Sequence, residues 1–560
     1  MSTETFLPPD NDQRRLITEE LDTSMLVEAA AGTGKTTSMV ARMVALLAEG
    51  KCAVHQLAAV TFTRKAASQL RARFQAALEK GVKEESGKKR QRLVKALRRV
   101  EQVFMGTIHS FCGRLLRERP VEAGVPLDFS EMTEEEDKGL REEAWEEHLS
   151  SLYATGEPIL HVLADMGIVV ADLHETFMRL ADYPDVDDWP AELLPKPDLK
   201  ECRRELREYL EHISFLQEYF PEETGTDKLM PAYLAINRHA RHANLRNPAD
   251  MIALLERFDT SAKPVLKWWP DKDMARSECE RWKSFRQDFV EPTLAAWREY
   301  CYEPCLRCIK PALARYAELR KQSGKLNFSD LLMKAAALLR DNEPAIRKYF
   351  RDRFTHLLVD EFQDTDPIQA EVMMLLTADD TSEQDWTRCK PAPGRLFVVG
   401  DPKQSIYRFR RADIVTYNSV RDIIEESGGK VLSLSANFRT VGPIIEWVNG
   451  IFSTFFPKER NRYSPSYVPL QVGKKESEAG VLAGLYRLEI PEDCQNSVQA
   501  VEYEAEVIAR NIRYALDNSL TIGSHDGEPR PLKPGDVMIL TKDKKSLTVY
   551  GEALQRYDIE

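Results

Sequence analysis

The sequence predicts an α/β protein: a parallel sheet of short apolar strands with its ligands at one edge, interrupted by a large, mainly helical insertion. Three observations carry this. Met25-Leu26-Val27, Leu57 to Thr63, Phe354 to Val359, Leu396 to Val399 and Val431 to Leu434 are short apolar, β-rich runs, each followed by a helical pattern or a charged turn. Such repetition suits strands covered by helices on both faces, whose ligands sit beyond the strand C-termini. The first run leads through a glycine turn into a helical stretch, Lys35 to Leu47, that stops near Gly50. Between about 126 and 320 the alternation gives way to charged, helix-patterned and aromatic sequence.

These patterns divide the chain into a first α/β domain over 1–125 and 320–428, a helical insertion over 126–319, and the N-terminal part of a second α/β domain over 429–560. Within the insertion, Glu131 to His148 and Asp198 to Tyr219 read as helices. Trp145, Trp189, Trp268, Trp269, Trp282 and Trp297 read as core rather than as a stacking surface. Cys301, Cys305 and Cys308 share one helix face; a tetrahedral metal site needs a fourth ligand that no nearby cysteine supplies, so this face is expected to be apolar and buried. In the last segment, Gln471 to Ala500 is loop-like, Tyr503 to Leu516 a helix and Asp536 to Leu540 a strand. The basic run from Lys88-Lys89-Arg90 to Arg98-Arg99 reads as a solvated helix face.

Composition narrows the class without naming it. A chain of 560 residues exceeds one hydrophobic core. The balance of 78 basic against 90 acidic residues, net −12, does not advertise a nucleic-acid binder, but a groove needs positive charge only locally. The start, Met1 to Asp12, lacks the basic and apolar regions of a secretory signal. No run approaches the roughly 20 apolar residues of a membrane span. Nine scattered cysteines do not read as a disulfide framework, so a cytoplasmic protein with no membrane partner is expected.

The strongest local signal is Ala29-Ala30-Ala31-Gly32-Thr33-Gly34-Lys35-Thr36-Thr37. Gly32 and Gly34 allow a tight turn whose N–H groups, with the following helix N-terminus, face an anion. Lys35 adds a cation for β- and γ-phosphates, and Thr36 a hydroxyl for Mg²⁺. Asp360-Glu361-Phe362-Gln363-Asp364 follows the run His356-Leu357-Leu358-Val359. Asp360 suits a Mg²⁺ ion held through its water shell, and Glu361 suits polarisation of an attacking water. Together the two motifs predict hydrolysis of a nucleoside triphosphate, with ATP and Mg²⁺ as the expected ligands.

The boxes in their order resemble those of superfamily 1 helicases of the UvrD/Rep type. Asp360 to Thr365 resembles the D-E-[FY]-Q-D-[TS] box, and the loop, which begins with alanine, resembles the family's A-x-A-G-T-G-K-T. Thr61-Phe62-Thr63-Arg64-Lys65-Ala66-Ala67 resembles T-F-T-x-x-A-A; Gly106-Thr107-Ile108-His109-Ser110-Phe111 resembles the next DNA-contacting box; Asn327-Phe328-Ser329-Asp330-Leu331 is similar to D-F-x-D-L with asparagine first. Val399 to Arg410 and Asn437-Phe438-Arg439-Thr440 are similar to two further boxes. The resemblance implies two RecA-like lobes and a 3′–5′ motor on single-stranded and tailed duplex DNA, in repair or recombination. It implies that Gln13 recognises adenine, Phe438 covers it, Gln404 senses the γ-phosphate and Arg439 reaches it. It implies that Phe62, Thr63, Thr107, His109, Tyr407 and Phe409 contact single-stranded DNA; Phe409 stands where many relatives have tryptophan.

Val27 to Gly32, Arg408 to Asp413 and the length of the insertion give the resemblance a RecB/AddA flavour, which implies that a nuclease or second helicase subunit is the partner. No nuclease-like constellation occurs in the sequence. Two family boxes expected after Arg439, roughly H-x-x-K-G-L-E and Y-V-A-x-T-R-A, do not occur between Thr440 and Glu560. The expectation is therefore an incomplete second lobe, a truncated or split form that does not unwind DNA alone. The alternative is an ATP- and DNA-binding module without unwinding activity of its own. A signalling ATPase acting on protein gives the aromatic pair after Val399 little purpose.

Overall fold

The computed structural model describes residues 7–560 apart from 187, 188, 190, 222, 342, 474–484, 493, 495, 523–529 and 543. The apolar runs become strands of one sheet: β1 (Met25–Ala29), β2 (Leu57–Thr61), β3 (Phe104–Thr107), β4 (His356–Val359), β5 (Leu396–Gly400) and β6 (Lys430–Leu434). Their order is β3-β2-β4-β5-β1-β6, and every pairing is parallel. Val27 at the centre lies opposite both Val399 and Leu432. All five residues of β2 and of β5 are buried, as strands covered on both faces require.

Strand assignments differ from the sequence reading in several places. The sequence pattern does not announce β3; Phe104-Met105-Gly106-Thr107 is a short edge strand with a glycine, and only Met105 in it is buried. Val431 to Leu434, expected to open a second α/β element, lies in β6 and pairs with β1. Its apolar pattern makes the segment extended but cannot specify which sheet edge receives it. Asp536 to Leu540 is no strand: Pro534–Asp536 is a 3₁₀ turn, and Val537 to Leu540 joins no ladder among the described residues. Met538 and Leu540 are 80% and 86% exposed. β-propensity needs a neighbouring strand to be realised, and among the described residues none pairs with this segment. Of the loop-like stretch 471–500, residues 474–484, 493 and 495 lie outside the described residues; the helix beyond it runs from Ser497 to Asp517.

Helices α1 (Asn11–Glu19), α2 (Lys35–Glu49), α3 (Arg64–Glu84), α4 (Gly87–Leu97) and α5 (Ile108–Glu118) belong to the same unit, Met1–Gly124 with Leu332–Glu560. Met39, Met43 and Leu46 of α2 and Leu70, Phe74 and Leu78 of α3 share one core with Val27, Ala59 and Val399. The exposed face of α4 carries the basic run, as its polar pattern implies. Among the described residues no helix is long and apolar enough to cross a membrane.

The second unit is Val125–Leu331. Its ends lie side by side, because Ser130–Glu131 pairs with Lys325–Leu326. Two apolar cores meet along one long helix, Glu291–Ser323. Trp145, Trp269, Trp282 and Trp297 are buried in these cores, while Trp189 and Trp268 are half-buried. Cys301 and Cys308 are buried and Cys305 packs against both cores, so the cysteine face is indeed an apolar one.

One polar residue is built into the first core. Arg42 is fully buried and donates to the carbonyls of Ile17, Glu20, Leu21 and Thr23, closing the C-terminal end of α1. Its guanidinium also lies 5.0 Å over the Phe397 ring, and burial pushes its pKa down to about 10. Truncation strands buried carbonyls and opens a hole. Arg42→Ala is expected to cost about 3 kcal/mol, seen as a lower urea midpoint when this unit's unfolding is followed.

Candidate functional site

Because all six strands are parallel, their C-terminal ends share one edge, and every singled-out box except Gln13 and the Asn327 element sits there. β1 runs into the glycine loop, β2 into Phe62 and Thr63, β3 into Thr107, β4 into Asp360, β5 into Asp401 to Phe409, and β6 toward Asn437 to Arg439. This is where ligands of open parallel sheets bind.

Gly32 and Gly34 adopt φ of +79° and +89°, the left-handed region that side chains disfavour. At Gly32 a Cβ would also come within 2.7 Å of the Arg439 Cβ and 2.8 Å of the Asn437 amide nitrogen. Gly34 caps α2, so the first N–H groups of that helix open onto the loop. Thr33 is buried and its hydroxyl donates back to the Ala30 carbonyl at 2.7 Å. Ala29 and Ala30 are buried, Ala31 and Thr36 half-buried, and Thr37 exposed. The loop has the backbone for a phosphate cradle.

Lys35 Nζ lies 2.7 Å from Glu361 Oε2, and the Thr36 hydroxyl donates to Asp360 Oδ2 at 3.4 Å. Glu361 reaches this position through a left-handed backbone, φ 54°, rare for a residue with a side chain. Burial pushes the Asp360 carboxyl up to about 6, helped by the neighbouring Glu361 charge. Burial also raises Glu361, but the Lys35 charge and hydrogen bonds from Gln363 and Lys35 outweigh it and hold the carboxyl below its ordinary value. The two adjacent acids are thus driven apart, Glu361 staying ionised. A hard cation such as Mg²⁺ takes oxygen ligands, and the Thr36 hydroxyl and Asp360 carboxylate fit that donor set.

The loop after β5 carries the remaining parts. Gln404 Nε2 donates to Asp401 Oδ2 at 2.9 Å, and Lys403 Nζ lies 2.9 Å from Asp401 Oδ1. Tyr407 stacks on Phe62 with centroids 5.4 Å apart, and Phe409 follows at 5.8 Å from Tyr407. Phe409 is 77% exposed, and Arg410 lies within 5.8 Å of both ring centroids. A water-facing aromatic beside a guanidinium offers a platform for planar bases. The Thr63 and Thr107 hydroxyls accept the Ala66 and Ser110 N–H groups as helix N-caps, and His109 is half-buried.

On the other side, Asn437 donates to the Ala31 carbonyl at 2.7 Å and the Phe438 N–H to the Gly32 carbonyl at 2.9 Å, so Arg439 is delivered against the glycine loop. Arg14 joins them with no signal in the sequence. It pairs with buried Asp10, donates to the Thr33 carbonyl at 2.8 Å and lies 5.0 Å over the Phe438 ring. Asp10 in turn accepts the Ser435 and Ala436 N–H groups at 2.9 Å. Gln13, the residue before Arg14, is half-buried on α1. Arg14 and Asp10 escape a sequence reading because most of their partners lie far away along the chain; Asp401, Gln363 and Asn437 stand inside recognised boxes but carry no separate signal.

A parallel sheet with a glycine loop, paired carboxylates and an aromatic cluster along its C-terminal edge defines a P-loop α/β protein. Residues 10–424 match the UvrD/REP helicase N-terminal domain, and the chain belongs to that family. It is 26% identical over 596 residues to an ATP-dependent helicase/nuclease subunit of Listeria welshimeri, covering 96% of this chain and 47% of that protein. The protein of the same name from Anoxybacillus flavithermus is 27% identical over 613 residues, covering 95% of this chain and 48% of the relative. The chain therefore spans about half the length of the curated relatives it matches.

Lys35→Ala removes the cation facing the loop and little core volume. It is expected to weaken Mg·ATP binding by about 1.5–3 kcal/mol and to leave any ATP hydrolysis at background. Titration with a fluorescent ATP analogue checks the first, and equal affinities for variant and parent contradict the assignment.

Proposed function

We propose that this chain is the nucleotide-driven part of a DNA motor: an ATP-dependent 3′–5′ helicase or translocase on single-stranded DNA, acting in the cytoplasm in repair or recombination. The observation that carries it is the reach of one loop. The Asp401 to Phe409 loop is tied through Asp401 and Gln363 to Glu361 at one end and stacks Tyr407 on Phe62 at the other. The 3′–5′ polarity rests on the family resemblance alone.

In this reading Lys35 and the N–H groups around Gly32 to Thr36 hold the β- and γ-phosphates. Thr36 and Asp360 would hold Mg²⁺, which supplies charge neutralisation between the phosphates. Glu361, kept ionised, orients and polarises the attacking water. Gln404 and Arg439 address the γ-phosphate from the β5 and β6 loops, while Phe438 covers the adenine and Gln13 hydrogen-bonds it. Phe62, Tyr407 and Phe409 grip bases through their faces, which every base possesses, so binding needs no sequence readout. Thr63, Thr107 and His109 line the same strand. The relatives are named helicase/nuclease subunits, which supports an associated nuclease and a partner subunit; tailed duplex DNA as substrate rests on the family resemblance.

A second reading is an ATP- and DNA-binding module that does not unwind by itself. Met538 and Leu540, 80% and 86% exposed in a segment joined to no strand among the described residues, support it.

One measurement tests the stacking role and a second separates the two readings. Phe409→Ala is expected to weaken oligo(dT) binding by about 1–3 kcal/mol with nucleotide affinity unchanged; unaltered DNA binding refutes the stacking role. The 560-residue chain, given ATP and a 3′-tailed duplex, unwinds it under the first reading. Binding of both ligands without unwinding selects the second.

A further inference from the structure

Between the Glu361 carboxylate and the loop bearing Tyr407 and Phe409 lies one buried side chain, Gln363, 3% exposed. Its Nε2 donates to Glu361 Oε2 at 2.8 Å, and its Oε1 accepts the Asp401 N–H at 2.8 Å. A carboxylate only accepts and a backbone N–H only donates, so the amide has one workable orientation. The Gln363 carbonyl accepts the Ser405 hydroxyl at 3.0 Å. One residue therefore holds both ends of the Asp401–Ser405 turn. Clearance is minimal: a Cβ on Gly400 would lie 2.8 Å from Gln363 Oε1 and 3.1 Å from its backbone nitrogen.

The contacts continue in both directions. Glu361 Oε2 is shared between Gln363 and Lys35, which lies 2.7 Å away. Asp401 passes on to Gln404 and Lys403, and Tyr407, three residues beyond Gln404, stacks on Phe62.

We propose that Gln363 is a positioning residue that links the single-strand site to the nucleotide site, through its amide to Glu361 and Asp401 and through its carbonyl to Ser405. This rests on the functional reading above. A phosphate at the glycine loop draws Lys35 toward itself and leaves Gln363 as the donor that places Glu361. Bases stacked on Tyr407 and Phe409 constrain the turn that Gln363 holds. Both ligands then favour the same arrangement of one buried amide, and each tightens the other by the same factor, as linkage requires.

The test measures that factor in the full chain. The affinity of a fluorescent, non-hydrolysable ATP analogue with Mg²⁺ is titrated with and without saturating oligo(dT), and oligo(dT) affinity is measured alone. The parent is expected to bind the analogue about tenfold more tightly with DNA present, within the usual range for coupled sites. In Gln363→Met, which keeps length and volume but lacks the amide, that factor falls to about one to two, while each affinity measured alone changes less than about threefold. A purely structural role would weaken the separate affinities and leave their ratio in place. Where Gln363→Met does not fold, Ser405→Ala, which removes only a hydroxyl from the second tie, is expected to reduce the factor. A parent that binds both ligands without linkage, or full linkage in whichever folded variant is measured, overturns the proposal. A parent that binds no nucleotide overturns the functional reading itself.

Discussion

The parallel pairing of six strands is the constraint on which the rest depends. Parallel strands need crossovers, and crossovers return every strand in the same direction. Segments that lie hundreds of residues apart, such as Ala29, Val359 and Leu434, therefore end on one line. β1 sits between β5 and β6, so the glycine loop is flanked by the two loops that carry Gln404 and Arg439. β2 and β3 stand on the other side of β4, which places Phe62 and Thr107 away from the phosphate cradle but along the same edge. Strand order alone separates the glycine loop from Phe62 and Thr107.

Burial gives the site its electrostatic character. Asp360, Asp364 and Asp401 are all less than a tenth exposed, and burial together with the Glu361 charge pushes Asp364, like Asp360, up to about 6. Lys35 pairs with Glu361 and Lys403 with Asp401, which offsets part of this crowded charge. Charges so close in a poorly solvated setting respond strongly to any added cation or anion. A magnesium–phosphate ligand introduces both, so its binding would redistribute the ion pairs rather than simply fill space. The left-handed backbone at Glu361 is tolerable in this context because Lys35 and Gln363 hold its carboxylate from two sides.

The helical unit follows a different logic. Its entrance and exit are pinned together by the pairing of Ser130–Glu131 with Lys325–Leu326, so a unit of this size leaves and re-enters the chain at nearly one point. The long helix carries Pro304 and Pro311 and still serves both apolar cores. Along it, His148 bonds the Cys308 carbonyl at 2.8 Å and Tyr316 donates to Asp137 at 2.6 Å. The opposite order of these partners shows that Glu134–Thr155 and Glu291–Ser323 run antiparallel.

The sequence by itself determined what is local. Glycines at 32 and 34, the apolar runs before the glycine loop, Phe62, Asp360 and Asp401, and the carboxylates after His356 to Val359 are properties of short segments, and each formed as its pattern implied. The family was legible for the same reason, since its boxes are contiguous. Tertiary structure decided everything that depends on a neighbour. Val431 to Leu434 carries the same apolar signal whichever edge it joins, and only the free edge of β1 assigned it to this sheet. Val537 to Leu540 has the composition of a strand but, among the described residues, lacks the second strand that would make it one. Arg42, Arg14 and Gln363 look like ordinary polar residues in sequence. Their roles arise from carbonyls, a ring and a carboxylate that folding brings to them, because hydrogen bonds and charge pairs act over a few ångströms and are blind to distance along the chain.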